Sequence, residues 1–355
     1  MNKIPQFMRG VYLTGHGGID KLVYKEDIPV PTPKFGEVLI EVKGAGINNT
    51  DINTRLGWYS KNITSETNAD EIESENGSWN GVPLHFPRIQ GGDVCGYIIK
   101  VGEGVDPSRI GERVLVRSMQ NSPASKNPMA MQTIGSEFNG GFAQFCVAKS
   151  NESFPVNCDW SDIELASIPI SYSTAEGMLC RADIRKEKIL ITGASGGVGS
   201  AAIQLAKLRG ATIIAQCSPN KASDLKDLGA DQTVNRHDDL IQVLGANSID
   251  AVLDLVGGKS WSQLLEVLKP GGKYVVSGAI AGPTVDLDLR ALYLKDLILF
   301  GSTVNDPYVF ENVIRYIEEG QIKPLVSQSF PLQDIKKAQN VFMEKKFVGK
   351  LVLVP

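Results

Sequence analysis

The sequence predicts an α/β fold in which a doubly wound parallel sheet is joined to a β-rich domain. Its 355 residues correspond to about two domains at roughly 100–200 residues each. Over the first 155 residues or so, Gly and Pro separate short apolar stretches, whereas strand and helix patterns alternate from about residue 160. Repeated βα units imply right-handed crossovers and a parallel sheet covered on both faces.

Composition and charge exclude several classes of protein. Hydrophobic residues make up 42% and charged residues 21%, and 36 Lys and Arg face 40 Asp and Glu, for a net charge of −4. This balance argues against a nucleic-acid or anionic-membrane partner, since both need a clustered positive excess. No apolar run approaches the roughly 18–20 residues of a membrane span, and the N-terminus lacks a secretory signal. We therefore expect a cytoplasmic enzyme.

Cysteine and histidine spacing predicts no metal site. The nearest two cysteines, Cys146 and Cys158, are 12 residues apart, so the chain has no Cys-x-x-Cys pair. The three histidines are isolated, and none forms an i, i+4 pair on a helix face. The five cysteines are expected to be reduced thiols, most of them small core residues.

The first domain is predicted to be a small barrel of irregular strands. Apolar stretches at 37–42, 96–101 and 112–116 are bounded by Gly and Pro. Two polar stretches, 60–81 and 118–141, interrupt this pattern and are expected to be long surface loops, because they have few side chains to bury.

The second domain is predicted from alternating strands and helices. Its strands are expected at 188–192, 212–215, 251–253 and 273–276, with helices at 198–208, up to 228 and at 259–268. The apolar stretch 297–300 should form an edge strand. In a monomer this edge would be exposed and prone to pair with another chain.

The sequence pattern at the end of the chain is similar to that of the first domain. Helices are expected at 309–317 and 334–343, and a closing strand at 350–354. A nucleotide-binding domain would then lie within a catalytic domain: residues 1–158 form the first part, 159–306 the inserted domain and 307–355 the return segment.

A glycine-rich turn between a strand and a helix predicts dinucleotide binding. Gly193 and Gly196 would let the backbone turn sharply towards a pyrophosphate, and Gly199 would let helix and strand pack closely. Exposed N–H groups and the helix dipole would stabilise the anionic bridge. The predicted cofactor-binding residues of this turn are Gly193, Ser195, Gly196, Gly197, Val198 and Gly199.

The end of the second strand favours NADPH over NADH. An NAD site places a carboxylate there to hold the ribose hydroxyls, and residues 215–221 contain none. Ser218 and Lys221, with Arg236 after the next strand, could instead hold a 2′-phosphate. Taken singly, Lys221 and Arg236 could equally be solvated surface charges.

Six short motifs are spread over nearly the whole chain: 44–51 (GAGINNTD), 96–104 (GYIIKVGEG), 110–114 (IGERV), the 193–199 turn, 269–272 (KPGG) and 349–353 (GKLVL). As a set, they resemble the medium-chain dehydrogenase/reductase superfamily. The resemblance implies a GroES-like barrel domain enclosing a Rossmann domain, and a homodimer that pairs the apolar edge strand across a two-fold axis.

The resemblance is to the zinc-free branch, the quinone oxidoreductases. By motif matching, Asn48, Gly92 and Ile170 stand where the zinc branch has its Cys, His and Cys ligands. An amide oxygen is a poor zinc ligand, and Gly and Ile offer no side-chain donor. Asp93 alone could touch a metal but could not hold one.

Several further site residues follow from the resemblance. Tyr59 matches an aromatic position that lines the cleft and resembles a proton donor, although it could be a loop tyrosine. Asn48 could bind substrate or the nicotinamide ribose, or be a turn amide. Tyr172 and Thr174 fall where the family packs its nicotinamide ring, with a core tyrosine as the alternative for Tyr172. Ser277 and Gly278 should lie beside the nicotinamide, and Gly257 should lie beside the ribose. Asp51 should accept hydrogen bonds from backbone N–H groups as a cap.

The sequence thus predicts an NADPH-dependent reductase that transfers hydride to a quinone or an α,β-unsaturated carbonyl without a metal. Such acceptors need orientation and hydrogen-bond donors rather than a Lewis acid. A metal-free carbonyl or alcohol dehydrogenase and a catalytically silent NADPH-binding protein remain open alternatives.

Overall fold

The computed structural model describes residues 3–67, 77, 83–121, 126, 127 and 129–355. No helix within these ranges is long and apolar enough to cross a bilayer. The strands are β1 (Phe7–Leu13), β2 (Leu22–Pro29), β3 (Glu37–Gly46), β4 (Arg88–Ile89), β5 (Cys95–Val101), β6 (Arg113–Val116), β7 (Met119–Asn121), β8 (Met131–Thr133), β9 (Phe145–Lys149), β10 (Ser153–Pro155), β11 (Lys188–Ile191), β12 (Thr212–Cys217), β13 (Gln232–Asn235), β14 (Ile249–Asp254), β15 (Leu268–Val276), β16 (Ile298–Gly301), β17 (Val326–Pro331) and β18 (Lys350–Val354).

The helices lie mostly in the second half of the chain. They are α1 (Asn49–Leu56), α2 (Asp162–Leu165), α3 (Pro169–Arg181), α4 (Gly197–Leu208), α5 (Ala222–Asp227), α6 (Leu240–Leu244), α7 (Trp261–Val267), α8 (Leu289–Tyr293), α9 (Pro307–Glu318) and α10 (Ile335–Glu344).

The first domain is built on a mixed sheet in the order β10-β6-β5-β3-β18-β17, with β9 also paired to β3. A smaller sheet, β2-β1-β4, packs beside it. Alternate residues of β3 point inward, and Val38, Ile40 and Val42 are buried in one apolar cluster with residues of both sheets. The register of β3 against β5 shifts twice, so the strands curve as in a small barrel.

The second domain is a six-stranded parallel sheet in the order β13-β12-β11-β14-β15-β16. Ile189 and Ile191 of β11 face a core that includes residues of α3, α4 and α9, while Leu190 faces a second core against α7. Strand side chains alternate between the faces, so both faces are buried. The order reverses between β11 and β14, and ligands bind in the crevice above such a point. The predicted fold class is confirmed.

The closing strand returns to the first sheet. β18 pairs antiparallel with β3 through Val352 and Gly46, and parallel with β17. Helix α9, by contrast, buries Phe310 and Val313 in the core shared with the parallel sheet. Helix α9 therefore packs with the parallel sheet of the second domain. The domain limits 1–158, 159–306 and 307–355 stay a prediction.

The stretch 118–141 differs from the expected surface loop. β7 and β8 form an antiparallel ladder, and Gln120 and Ile134 are almost fully buried. The NH₂ group of Gln120 donates to the carbonyl oxygen of Arg117, which gives this buried side chain one partner inside the fold. Of the other predicted loop, 60–81, residues 68–76 and 78–81 lie outside the described residues.

Candidate active site

The glycine-rich turn lies at the carboxyl end of β11, in the crevice of the parallel sheet. Gly193 has a φ of 57°, in the left-handed region that only glycine adopts readily. A Cβ on Gly199 would lie 2.5 Å from both Ala194 Cα and Gly193 O, so α4 passes directly against the turn. Since no side chain caps the α4 N-terminus at Gly196, its first N–H groups can receive an anion.

A buried carboxylate ties the turn to the neighbouring strand. The Asp254 carboxylate accepts hydrogen bonds from the hydroxyl groups of Thr192, at 2.6 Å, and Tyr274. It also accepts the N–H groups of Val256 and Gly257 at 2.9 and 3.1 Å. Asp254 is fully buried, so these bonds fix the loop after β14 beside the glycine turn.

Three further predicted cofactor residues, Gly257, Ser277 and Gly278, lie in or beside this loop. Ser277 follows β15, its N–H donates to the carbonyl oxygen of Asp254, and its hydroxyl donates to the carbonyl oxygen of Ser302. Gly257 has a φ of 65°, and a Cβ on Gly278 would lie 2.7 Å from Leu255 O. The structure brings these three residues together at the crevice.

The predicted phosphate-binding lysine is held by the end of the chain. The Lys221 ammonium donates to the carbonyl oxygens of Lys345 and Phe347, at 2.6 and 2.8 Å, and lies 3.4 Å from Ser195 Oγ. Lys221 is only 7% exposed, and burial lowers the pKa of its ammonium. The Lys221 side chain therefore lies at the glycine turn, and its ammonium is already hydrogen-bonded to two backbone carbonyl oxygens.

Arg236, the other cation predicted to bind the 2′-phosphate, is less enclosed by the protein than Lys221. Its side chain is exposed and contacts only its neighbour His237 among the bonds described, and its N–H donates to Cys217 O at 3.1 Å. Ser218 follows Cys217 at the end of β12 and is half-buried. The backbone of Arg236 therefore lies next to the end of β12 that Ser218 follows, and binding of a 2′-phosphate by these two residues stays a prediction.

The segment before β18 crosses to the glycine turn. Gly349 N–H donates to Ser195 O at 3.0 Å. Lys345, with a φ of 54°, places its ammonium 2.8 Å from Asn49 Oδ1. Desolvation and the neighbouring ammonium groups of Lys221 and Lys350 lower the pKa of Lys345 to about 7. Three lysines therefore gather where an anionic cofactor would bind.

Asn48, at one of the three matched zinc positions, joins a buried ion pair between Lys350 and Asp93, while Gly92 and Ile170 at the other two offer no side-chain ligand. Lys350 Nζ lies 2.7 Å from Asp93 Oδ2 and 2.6 Å from Asn48 Oδ1, and Asn48 Nδ2 donates to Asp93 Oδ2 at 2.9 Å. The other oxygen of Asp93 accepts Ile170 N–H at 2.6 Å. A carboxylate, an amide and an ammonium group do not fit zinc, which needs several thiolate, imidazole or carboxylate donors.

Asp51 acts as predicted, as a cap. Its carboxylate accepts Asn48 N–H at 2.8 Å and Gly91 N–H at 3.3 Å. Burial raises the pKa of Asp51 to about 7, although these hydrogen bonds and Lys350 oppose the shift. The capping box fixes Asn48 at the start of α1.

Tyr59 lies where α1 gives way to the polar stretch. Gly57 ends the helix in a left-handed conformation, and the rings of Trp58 and Tyr59 pack edge to face at 5.6 Å. Asn53 Nδ2 lies 3.5 Å from the Tyr59 oxygen. Burial raises the pKa of Tyr59 far above its usual value, with only partial opposition from the Asn53 hydrogen bond, so the phenol is protonated at neutral pH.

Tyr172 differs from its predicted catalytic position. It is 2% exposed in the core beside α4, donates its hydroxyl hydrogen to Lys323 O at 2.6 Å, and accepts from Gln204 at 2.9 Å. The hydroxyl is fully used inside the fold, so the core alternative holds and the catalytic prediction is corrected. Thr174 lies half-buried on the same helix.

Comparison with known proteins matches both domains to family models. Residues 34–157 match the alcohol dehydrogenase GroES-like domain, and residues 197–319 match the zinc-binding dehydrogenase model. A candidate alcohol dehydrogenase from Sinorhizobium meliloti, known from its crystal structure, is 46% identical over 100% of this chain and 98% of its own, with a TM-score of 0.91.

Those matches decide the family. The chain belongs to the medium-chain dehydrogenase/reductase superfamily. Quinone oxidoreductase from Rattus norvegicus is 25% identical, and the two sequences cover 98% of each other. Acryloyl-coenzyme A reductase from Metallosphaera sedula is 27% identical over 98% of this chain and 99% of its own. These relatives support the quinone oxidoreductase-like branch and an oxidoreductase.

In this medium-chain dehydrogenase/reductase, the structure also brings to the candidate site residues that the sequence did not single out. Within the described part of the chain, no group of three or more His, Cys, Asp or Glu could hold a metal. Lys350 belongs to the matched motif 349–353, so the sequence offered a signal that it lies near the site. Lys345 and Asn53 carry no such signal, because only the folded chain brings them to the cleft.

Proposed function

We propose that the protein is an NADPH-dependent reductase that adds hydride to a quinone or an α,β-unsaturated carbonyl without a catalytic metal. The observation that carries this proposal is the buried Lys350–Asp93–Asn48 network, which occupies the region around the matched zinc position Asn48. Oxidising an alcohol would require a group that withdraws the hydroxyl proton, whereas reducing a conjugated acceptor requires a donor near the oxygen or carbon that gains charge.

The cofactor fits the residues at the crevice. The open N–H groups at the start of α4 would hold the pyrophosphate, and Arg236 with Ser218 would hold the 2′-phosphate. Lys221 and Lys345 add positive charge beside the same turn. When bound, NADPH supplies a hydride to the acceptor.

Tyr59 is the residue that would complete the reaction. Its hydroxyl, which the raised pKa of the half-buried Tyr59 keeps protonated, would donate a proton to the acceptor once that acceptor has gained hydride. Asn48 would contribute less directly than Tyr59, because its amide already forms hydrogen bonds with Asp93 and Lys350. Its predicted contact with substrate or ribose would use the remaining lone pair of its oxygen.

A metal-free carbonyl or alcohol dehydrogenase is the second candidate. The similarity to the Sinorhizobium meliloti candidate alcohol dehydrogenase favours it. A ketone would also need proton donation, for which Tyr59 is again the nearest donor proposed.

Steady-state oxidation of NADPH and NADH with a benzoquinone, an enone and a ketone tests these proposals. We expect turnover with the quinone and the enone, preference for NADPH, and activity that survives prolonged chelation. Arg236→Ala should raise KM for NADPH about tenfold and leave KM for NADH unchanged, because a charged hydrogen bond to the phosphate is lost.

The matched control is Arg185→Ala. Arg185 is exposed and precedes β11, at the opposite end of the parallel sheet from the crevice. Turnover of the ketone alone would favour the dehydrogenase, and absence of turnover with every acceptor would refute both candidates. Equal use of NADH and NADPH would refute the cofactor proposal.

A further inference from the structure

A short segment joins β16 to α9 at the predicted nicotinamide end of the second domain. We call residues 302–305 the connecting segment. Ser302 N–H donates to Val276 O at 2.9 Å, and the Ser277 hydroxyl donates to Ser302 O at 2.6 Å. Because Ser277 is predicted to lie beside the nicotinamide, the connecting segment begins at that end of the crevice.

The other end of the connecting segment is held on α3. Asn305 Nδ2 donates to Ser173 O at 3.0 Å. A Cβ on Gly177 would overlap Asn305 Oδ1, so this amide takes the place of a side chain on the helix. The exposed Arg181 also donates to Val304 O, at 2.6 Å. The connecting segment therefore lies between the end of β15 and α3.

Arg117 links this segment to the first domain. It follows β6, and its Nη1 donates to Asn305 O at 2.9 Å. Its Nε and Nη2 donate to the two carboxylate oxygens of Glu152, at 2.6 and 2.8 Å. Arg117 is 4% exposed and Glu152 7%, so a bidentate pair with little access to water fixes the plane of the guanidinium group. The remaining guanidinium nitrogen is thereby directed at the second domain.

The end of β6 also reaches the side of the crevice that holds Asn48. Ser118, the residue after Arg117, donates its hydroxyl hydrogen to Gly92 O at 2.5 Å. Gly92 immediately precedes Asp93, whose carboxylate accepts a hydrogen bond from Asn48. Two consecutive residues therefore contact the predicted acceptor side of the crevice and the connecting segment on the cofactor side.

We propose that Arg117 is a positioning residue that sets the distance between the nicotinamide and the acceptor. This inference rests on the proposed function, in which the second domain binds NADPH and the first domain holds the acceptor near Asn48 and Tyr59. Hydride transfer moves one hydrogen with its electron pair from C4 of the nicotinamide to the acceptor, so the cofactor is oxidised as the acceptor is reduced. Arg117 acts on this step only through the connecting segment, because a displacement of about 1 Å between reacting atoms can slow a reaction about a hundredfold.

The test compares Arg117→Lys with the wild type, using NADPH and either a benzoquinone or an enone. A lysine keeps the charge beside Glu152, but its ammonium cannot reproduce the forked bonds together with the bond to Asn305 O. We expect kcat to fall about tenfold, with a larger primary isotope effect from NADPH deuterated at C4, while the Kd for NADPH stays within about twofold. Loss of the anchor should also speed amide hydrogen exchange at residues 302–305 in the protein without cofactor.

Arg109→Lys is the matched control. Arg109 also pairs with a carboxylate, that of Glu112 at 2.8 Å, and it donates to the carbonyl oxygens of Ser150 and Ser153. All of these partners lie in the first domain, so no bond to the connecting segment is lost. This variant should leave kcat, the Kd for NADPH and the exchange rate at residues 302–305 unchanged.

Asn305→Ala keeps the test decisive if Arg117→Lys is unstable. It releases the connecting segment from Ser173 O, so it should lower kcat and leave the Kd for NADPH unchanged in the same way. A kcat within about twofold of the wild type in both variants, an unchanged exchange rate, or equal losses in the Arg109→Lys control would overturn the inference. A wild-type protein that reduces none of the acceptors would refute the proposed function instead, and the exchange rates, which need no turnover, would still report on the anchor.

Discussion

Lys350 and Asp93 show how one buried pair can shape a site. The two side chains are 5% and 0% exposed, so each charge has lost nearly all of its hydration. Their mutual attraction and the hydrogen bonds to Asn48 and Ile47 O compensate for that loss. The pair fixes the start of α1 to β18, two segments far apart in the sequence.

Lys350→Met should destabilise the fold by about 3–5 kcal/mol, because it leaves the Asp93 charge buried and unpaired. The double variant Lys350→Met/Asp93→Asn should recover a large part of that loss, since no charge then remains. Urea unfolding of the wild type, both single variants and the double variant measures the coupling. Additive losses would show that the pair contributes no coupling energy.

Asp51 should make stability depend on pH. Its pKa is about 7 in the folded protein against a usual value of 3.8, so the folded state binds more protons between these values. The free energy of unfolding should therefore fall as pH rises from about 4 to 7, by up to about 4 kcal/mol from this group.

Asp51→Asn removes that titration and should flatten the decline. Urea unfolding at several pH values between 4 and 8 gives both slopes. The absolute stability of the variant should be about 1 kcal/mol lower, because an amide can accept only one of the two N–H bonds through its oxygen. Asp286→Asn, at an exposed carboxyl, is the control, and an unchanged slope in Asp51→Asn would contradict the assignment.

At the scale of elements, the strand β11, the turn and α4 act as one unit. The close approach of α4 to Ala194 and the left-handed Gly193 bring helix N–H groups to the crevice. The hydrogen bonds of Asp254 hold the neighbouring loop in the same place. The first N–H groups of α4 are therefore already oriented towards the crevice, where the proposed cofactor would bind.

Gly199→Ala should disturb that unit. The added Cβ would lie 2.5 Å from backbone atoms of the turn, so α4 has to shift, at a cost of about 1–3 kcal/mol. We expect a lower melting temperature and weaker NADPH binding by calorimetry. Gly15→Ala, in the connection between β1 and β2, where a Cβ meets nothing within 4 Å, is the matched control and should change neither.

At the scale of the whole molecule, β16 is an edge of the parallel sheet with apolar residues around it. Ile298 is 46% exposed, and Leu289, Tyr293 and Leu294 of the neighbouring segment are 65%, 62% and 70% exposed. An open edge beside an apolar patch invites pairing with another chain. We propose a homodimer built across this edge.

Sedimentation velocity tests the dimer. We expect the mass of two chains for the wild type, and of one chain for Ile298→Lys, because a charge at the edge opposes pairing. Lys226→Glu, on the exposed face of α5, is the control and should remain dimeric. A wild-type protein that sediments as one chain would contradict the proposal.

The sequence by itself determined the fold class, most strands and helices of the second domain, and the glycine turn. These follow from local patterns: apolar periodicity sets which face is buried, and a strand, glycines and a helix in succession specify the turn. The same reasoning misjudged 118–141, where polar residues such as Gln120 are buried through hydrogen bonds that composition does not reveal.

Only the tertiary structure decided which side chains meet. Tyr172 points into the core rather than the cleft, Lys221 is held by carbonyl oxygens more than 100 residues away, and Lys350 reaches Asp93 across the sheet. Periodicity specifies the face on which a residue lies, but it does not specify the partner supplied by another segment. That choice depends on how the closing strand packs against the first domain, which involves contacts between residues distant in the chain.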